Sequence, residues 1–238
     1  MKTKRRFLNG LKLAFGIMCS SLMAGCAASS DFNKILAHPA RPENERALDS
    51  VRKPEEVLKF YGVKAGDKVA DIMAARGYYT VILSQVVGEK GQVYSVNSKP
   101  RKDLEERLKD PAFRNVRAVD SLTLPENAGL DFAFIHLNYH DLPANTRASL
   151  NKNVFAALKP GGVYGIVDHS AAEGSGDRFA NSLHRIDKQL VIKEVTQAGF
   201  VLVKEGEMLR RPDDTRDFST TKVRGKDDRF VLYFEKRK

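Results

Sequence analysis

The chain has 238 residues, with 40 Lys or Arg against 30 Asp or Glu, a formal net charge of +10, 42% hydrophobic residues and no Trp. Beyond the N-terminal segment about 190 residues remain, enough to bury one sizeable core as a single domain. Both cysteines, Cys19 and Cys26, lie near the N-terminus, which excludes a disulfide framework, a catalytic thiol and cysteine-ligated zinc from everything after residue 26.

Lys2, Lys4, Arg5 and Arg6 precede a mostly apolar stretch, Leu8 to Met23, interrupted by Asn9, Gly10 and Lys12. It is too short and too broken to span a bilayer and has the build of a signal peptide. It ends in Leu22-Met23-Ala24-Gly25-Cys26, which resembles the lipobox of bacterial lipoproteins, with Met23 where such boxes usually carry Leu. The resemblance implies cleavage after residue 25 and acylation of Cys26. With Ala27 rather than Asp next, it implies an outer-membrane anchor facing the periplasm. Residues 1–25 carry five basic and no acidic residues, so the remainder has 35 basic against 30 acidic, a net of +5. Charges of both signs alternate and no basic run is interleaved with aromatics, so no nucleic-acid partner is expected. Residues 26–45, Ala-Ala-Ser-Ser followed by His38-Pro39 and Arg41-Pro42, read as a tether of polyproline character in which His38 is idle. The domain is then 46–238.

Two short helices are predicted at 42–51 and 54–61, the second opened by Pro54 with Glu55 and Glu56 in its first turn. A strand follows at Lys68–Ile72, then a break at Gly77 and a helix from Tyr78 to Val87. Strands are predicted at 92–96, 116–119, 130–137, 163–167, 200–205 and 229–234, and helices at 103–109, 145–158 and 179–198. The second of these helices is closed by Lys159-Pro160-Gly161-Gly162, and the third is the longest. Strands alternate with helices, and those near Ile72, Ile135 and Ile166 are apolar on both faces. That pattern predicts a doubly wound, mostly parallel sheet covered on both sides. In such sheets ligands bind off the carboxyl ends of the strands.

After the first strand stands Asp71-Ile72-Met73-Ala74-Ala75-Arg76-Gly77-Tyr78-Tyr79-Thr80. After the second stands Asn97, after the third Asp120-Ser121, after the fourth His136-Leu137-Asn138-Tyr139-His140-Asp141, and after the fifth Asp168-His169-Ser170. Further on come Gly174-Ser175-Gly176, His184-Arg185-Ile186-Asp187 and Asp228-Arg229-Phe230. Together with Lys159-Pro160-Gly161-Gly162, these pieces resemble class I S-adenosylmethionine-dependent methyltransferases. Within that superfamily they resemble a poorly characterised family of extracytoplasmic bacterial methyltransferases, over nearly all of residues 40–238. The resemblance implies a Rossmann-like seven-stranded sheet and S-adenosylmethionine as cofactor. It implies that Asp71, Met73, Ala75 and Gly77 form the turn against the cofactor, that Asn97 meets the ribose and that Asp120 meets the adenine amine. Met73 and Ala75 occupy positions usually held by glycine, where side chains would crowd the cofactor or meet unfavourable φ. Asn97 replaces an acidic residue and offers no charge.

Of the five histidines, His136 at the end of an apolar strand reads as a satisfied core residue. His140, His169 and His184 are expected on one rim with Asp141, Asp168, Arg185 and Asp187. There His140 or His169 would act as general base toward a small-molecule or envelope-component acceptor, with Asp168 and His184 beside them. The competing reading is a polar network that only holds loops together. The spacing of these histidines is no recognised ligand motif, so no metal is assigned, although converging imidazole nitrogens would favour one. Gly174-Ser175-Gly176 lies too far past its strand for a nucleophile elbow. The cofactor is made in the cytoplasm, so an extracytoplasmic placement keeps open a non-catalytic binding protein on a degenerate methyltransferase fold. A cavity open beside Asp71 and Gly77 would favour the cofactor, and one filled by Met73 the alternative.

Overall fold

The computed structural model describes residues 31–237; the signal-like segment, Cys19 and Cys26 lie outside the described residues. Seven strands, β1 (Lys68–Ile72), β2 (Gln92–Val96), β3 (Val116–Val119), β4 (Leu130–His136), β5 (Leu158–His169), β6 (Val201–Gly206) and β7 (Arg229–Glu235), form one sheet in the order β3-β2-β1-β4-β5-β7-β6. The first five run parallel, and β7 is antiparallel to both β5 and β6. This is the predicted doubly wound α/β sheet of the class I methyltransferase type.

The apolar residues of the central strands divide by parity, as a pleated strand requires. Ala70, Ile72, Ala133, Ile135, Tyr164 and Ile166 face one core, which is covered by α7 (Ala144–Ala157) and α9 (Lys188–Gln197). Val69, Phe132, Phe134, Val163 and Val167 face the other, covered by α4 (Pro54–Tyr61) and α5 (Tyr78–Val87). Gly165 shares that second face because Tyr61 lies over it; a Cβ there would stand 2.8 Å from the Tyr61 ring.

Three expectations about elements need correction. Residues 31–45 are not a free tether. Phe32 and Ile35 of α1 (Phe32–Leu36) are buried in the second core, α2 (Glu43–Arg46) follows, and Arg41 is 1% exposed, paired through both amino groups with Asp49. The Pro-rich composition hid two apolar anchors and a buried ion pair, so the folded domain includes at least Phe32 onward. The predicted helix 179–198 is broken into α8 (Ala180–Leu183) and α9. Between them His184 is left-handed (φ 55) and Ile186 pairs with Ser170 as a β-bridge. Helical spacing loses here to Arg185, which is fully buried and forks onto Asp214 at 2.7 and 3.1 Å while donating to the Ser170 carbonyl. Among the described residues the longest helix is therefore α7. Lys159-Pro160-Gly161-Gly162 does not separate helix from strand: β5 starts at Leu158, and Gly161, at φ 78, donates its N–H to Lys236.

Candidate functional site

A cavity of about 610 Å³ opens off the carboxyl ends of β1, β4 and β5. Its walls include Asp71 to Arg76 from the first loop, His136 to Asn138, His140 and Asp141 from the fourth, and His169 and His184. Arg229 closes it from β7, and Arg52 from α3 (Asp49–Arg52) covers the top. Seven described non-glycine residues have positive φ, and four of them, Met73, Ala75, Leu137 and His184, line this cavity. L-residues held in the left-handed region cost of order 1–2 kcal/mol each, and such strain persists where surrounding structure fixes it and often marks a functional site.

In the first loop Met73 (φ 55), Ala75 (φ 51) and Gly77 (φ 85) take the conformation glycine would take. The loop is pinned to the end of β2: Ala74 N–H donates to the Val96 carbonyl at 3.1 Å, and Ala75 N–H donates to Asn97 Oδ1 at 2.8 Å. Gly77 starts α5 so tightly that a Cβ would meet Leu104 Cδ1 at 2.7 Å. The cavity stays open with Met73 as one wall rather than as a plug. Asp71, 3% exposed, accepts from the Thr80 hydroxyl at 2.6 Å, and Thr80 Oγ1 lies 2.8 Å from Ser95 Oγ. Burial raises the Asp71 carboxyl to about 7 against the opposing help of Thr80.

The structure does not bring every expected cofactor residue to the cavity. Asp71, Met73 and Ala75 line it; Gly77, Asn97 and Asp120 do not. Asn97 is buried and its carbonyl holds the loop backbone, while Asp120 is exposed on the far side of β2. An amide at 97 can cap a neighbouring N–H as readily as it could meet a ribose, and the sequence has no means of choosing.

The histidine rim does form, and its members differ. Asp168 is fully buried and is not on the cavity wall, so it positions rather than reacts. Its Oδ1 is 2.7 Å from His140 Nδ1 and accepts from His169 N–H, and its Oδ2 accepts from His140 N–H. His140 Nε2 is turned toward Asp141 Oδ1 at 3.1 Å and His184 Nδ1 at 3.4 Å. Burial disfavours a charge on His140, but Asp168 and Asp141 outweigh it and lift the imidazole to about 10. His140 is therefore not a free base. His169 is built differently: its Nδ1 faces Asp227 Oδ2 at 2.5 Å, and Asp227 is gripped by both sides of the Arg229 fork at 2.6 and 3.1 Å. Burial opposes ionisation of Asp227, yet His169 and Arg229 hold it below the usual carboxylate range.

His136 is not the satisfied core residue expected. It lines the cavity between the rings of Tyr79 and Phe134, and its Nε2 is buried without a hydrogen-bond partner among the described residues. Burial first, then Arg52 and Arg229, hold it well below the ordinary histidine value, so it stays neutral. Sequence reasoning also missed Arg52 and Asp227. The Arg52 guanidinium stacks 4.3 Å from the Tyr78 ring centre and has no carboxylate bonded to it among the described residues. Asp227 adjoined a quoted motif, whereas nothing around Arg52 distinguished it from other surface arginines.

The model of the ubiE/COQ5 methyltransferase family matches residues 49–187, from Arg52 through the loop to His184. The chain belongs to that family. Demethylmenaquinone methyltransferase of Staphylococcus aureus (strain JH9) is 30% identical over 112 residues, which is 46% of this chain and 46% of that protein. The chain thus matches less than half the length of the curated relatives it resembles. Among solved structures, a SAM-dependent methyltransferase from Aquifex aeolicus is similar with a TM-score of 0.61 and 23% identity, over 82% of this chain and 98% of its own. Fibrillarin of Aeropyrum pernix, with natively bound S-adenosyl-L-methionine, has a TM-score of 0.51 and 18% identity, over 76% and 73% of the two chains. At these identities the structural likenesses establish the fold, and the family match spans the cavity residues contributed by α3, the first and fourth loops, His169 and His184.

Proposed function

We infer that the protein is an S-adenosylmethionine-dependent methyltransferase acting on a small acceptor with an acidic proton. The observation that carries this reading is the loop at 73–77, which keeps a glycine-type path at three positions although two are not glycine. Strain retained at that cost borders an open cavity whose size lies in the ligand-binding range of roughly 300–1,000 Å³. The residues fit the cofactor. It carries a carboxylate, and Arg52 presents a guanidinium with no bonded carboxylate among the described residues. Asp71, Met73 and Ala75 would line its bed, and His136 Nε2 offers an unused hydrogen-bonding atom. When bound, the cofactor supplies the electrophilic methyl group.

The chain's own residues then hold the acceptor near that group and handle its proton. With Nδ1 donating to Asp227, His169 keeps Nε2 as an acceptor on the cavity wall, and Asp227 steadies the imidazolium that forms. Orientation supplies most of the acceleration, as expected where substrate and donor are confined together. A second reading, a binding protein without transfer activity, is favoured by one observation: Asn97 is engaged by the loop and Asp120 stands outside the cavity. Calorimetric titration of the full chain with S-adenosylmethionine and S-adenosylhomocysteine tests the inference. Micromolar binding, weakened at least tenfold in Arg52→Ala, is expected. A folded sample that gives no heat at millimolar cofactor overturns it.

We also infer placement in the cell envelope through a lipid on Cys26, supported by the basic, apolar and small-residue sequence pattern before it. Incorporation of labelled fatty acid that is lost in Cys26→Ser is the expected result; equal labelling of the variant would overturn it. Among the described residues no helix is long and apolar enough to cross a membrane.

A further inference from the structure

Three side chains on the cavity wall converge on one point. His140 Nε2, His184 Nδ1 and Asp141 Oδ1 form a triangle with edges of 3.1, 3.4 and 3.7 Å. Two ligands bound at about 2.1 Å to a tetrahedral metal centre stand roughly 3.4 Å apart. The triangle therefore already has the size a first-row divalent ion requires, and no rotamer has to change by much to receive it.

Each ligand is also oriented from behind. His140 is fixed by the Asp168 carboxylate on its other nitrogen, the arrangement by which a carboxylate sets the ring's tautomer and increases its basicity toward a metal. Asp141 accepts from Asn138 Nδ2 at 3.0 Å through its second oxygen, leaving Oδ1 for the centre of the triangle. His184 is held by backbone strain. It sits at φ 55, its neighbour Arg185 is locked to Asp214, and its carbonyl accepts from Thr220 Oγ1. Its left-handed turn, at the C-cap of α8, carries the imidazole back toward His140 and Asp141.

We propose that His140, Asp141 and His184 bind one divalent transition-metal ion, of the zinc, cobalt or iron(II) class, with its open coordination positions facing the cavity. Two imidazoles and one carboxylate suit that class, whereas calcium and magnesium prefer oxygen ligands throughout. Three protein ligands leave room for a water or a substrate oxygen, as in catalytic rather than structural sites. Binding of the ion is independent of the methyl-transfer reading. Only its service to that reaction, holding an acceptor oxygen beside the methyl donor and easing loss of its proton, rests on it. The competing occupant is a proton on His140, which would draw the same two neighbours together.

The test uses the full chain stripped with chelator, then titrated with cobalt(II) at pH 8 without S-adenosylmethionine. One equivalent should bind with micromolar or tighter Kd and give the visible d–d absorption of a nitrogen- and oxygen-ligated cobalt, displaced by zinc. Asp141→Asn and His184→Asn should weaken binding at least thirtyfold. Asparagine tolerates the left-handed backbone, so His184→Asn stays folded, as far-UV circular dichroism checks. His38→Ala, remote from the cavity, should bind as the unaltered chain does. No absorption at millimolar cobalt, or binding unchanged in both ligand variants, overturns the proposal. Cofactor titration in the presence of chelator reports separately on the methyltransferase reading, so the two can fail independently.

Discussion

The loop at 71–77 and the rim at 140, 141, 169 and 184 border the same cavity but are stabilised in opposite ways. The loop is held by backbone hydrogen bonds to β2 and by Gly77, with Met73 and Ala75 kept at left-handed φ. Its polar side chains are Asp71, which is turned onto Thr80, and Arg76, which pairs with Asp103 at 3.1 Å. In the rim, His140 and His169 are each fixed by a carboxylate, and the two inner carboxylates, Asp168 and Asp227, are completely buried. A backbone-defined site tolerates changes of residue as long as the path survives. A side-chain-defined site does not, because a buried carboxylate left without its partner is costly.

The sharpest way to separate the two is to disable one proton-handling pair in the rim. His169→Gln or Asp227→Asn should lower kcat by about 10²–10³ while the calorimetric Kd for S-adenosylmethionine changes little. An equal loss of cofactor affinity would show that rim and loop are one unit. Next comes the single buried carboxyl of the loop region. Burial pushes the Asp71 carboxyl up to about 7, above the 3.8 of an ordinary aspartate. The folded state keeps its proton longer than the unfolded one. The stability this gives is complete below about pH 4 and is lost as the pH rises through 7. Asp71→Asn should flatten that decline, with a difference between pH 4 and pH 8 on the order of 3 kcal/mol by urea unfolding. A variant that keeps the full decline would place the titration elsewhere.

Backbone changes should move the loop alone. Gly77→Ala combines φ 85 with a clash against Leu104, and should cost about 2 kcal/mol of unfolding free energy. Ala75→Gly relieves left-handed strain at the expense of chain entropy, and should stabilise by about 0.5 kcal/mol. Its Tm should rise by a degree or two. A fall in Tm would mean that the Ala75 methyl packs more usefully than its φ suggests.

Some of this was legible in the residues. Alternation of apolar strands with helices gave the sheet and located the chemistry at strand ends, because period and burial follow directly from side-chain type. Tyr78–Val87 and Gln92–Val96 end where Gly88 and Asn97-Ser98 end them. The residues after each strand pointed to His140, Asp168, His169 and, through its motif, His184. What was not legible depended on partners far away in the chain. Arg185 breaks a helical pattern only because Asp214 lies beside it, Asn97 serves the loop only because Ala75 N–H is within reach, and Phe32 and Ile35 anchor a Pro-rich segment only because the second core has room for them.

By itself, the sequence determined the doubly wound sheet, the position of the cavity at its carboxyl edge and the set of histidines and carboxylates that surround it. These follow from local periodicity and from the order of strands along the chain. The tertiary structure alone decided which of those groups touch. It turned His140 toward Asp141 and His184, gave His169 to Asp227, left His136 Nε2 without a hydrogen-bond partner among the described residues, laid Arg52 on the Tyr78 ring, and sent Asp120 to the surface. Hydrogen bonds and ion pairs act over a few ångströms, so their outcome is fixed by the register of β5 against β7 and by the bridge between Ser170 and Ile186, which no spacing along the chain encodes.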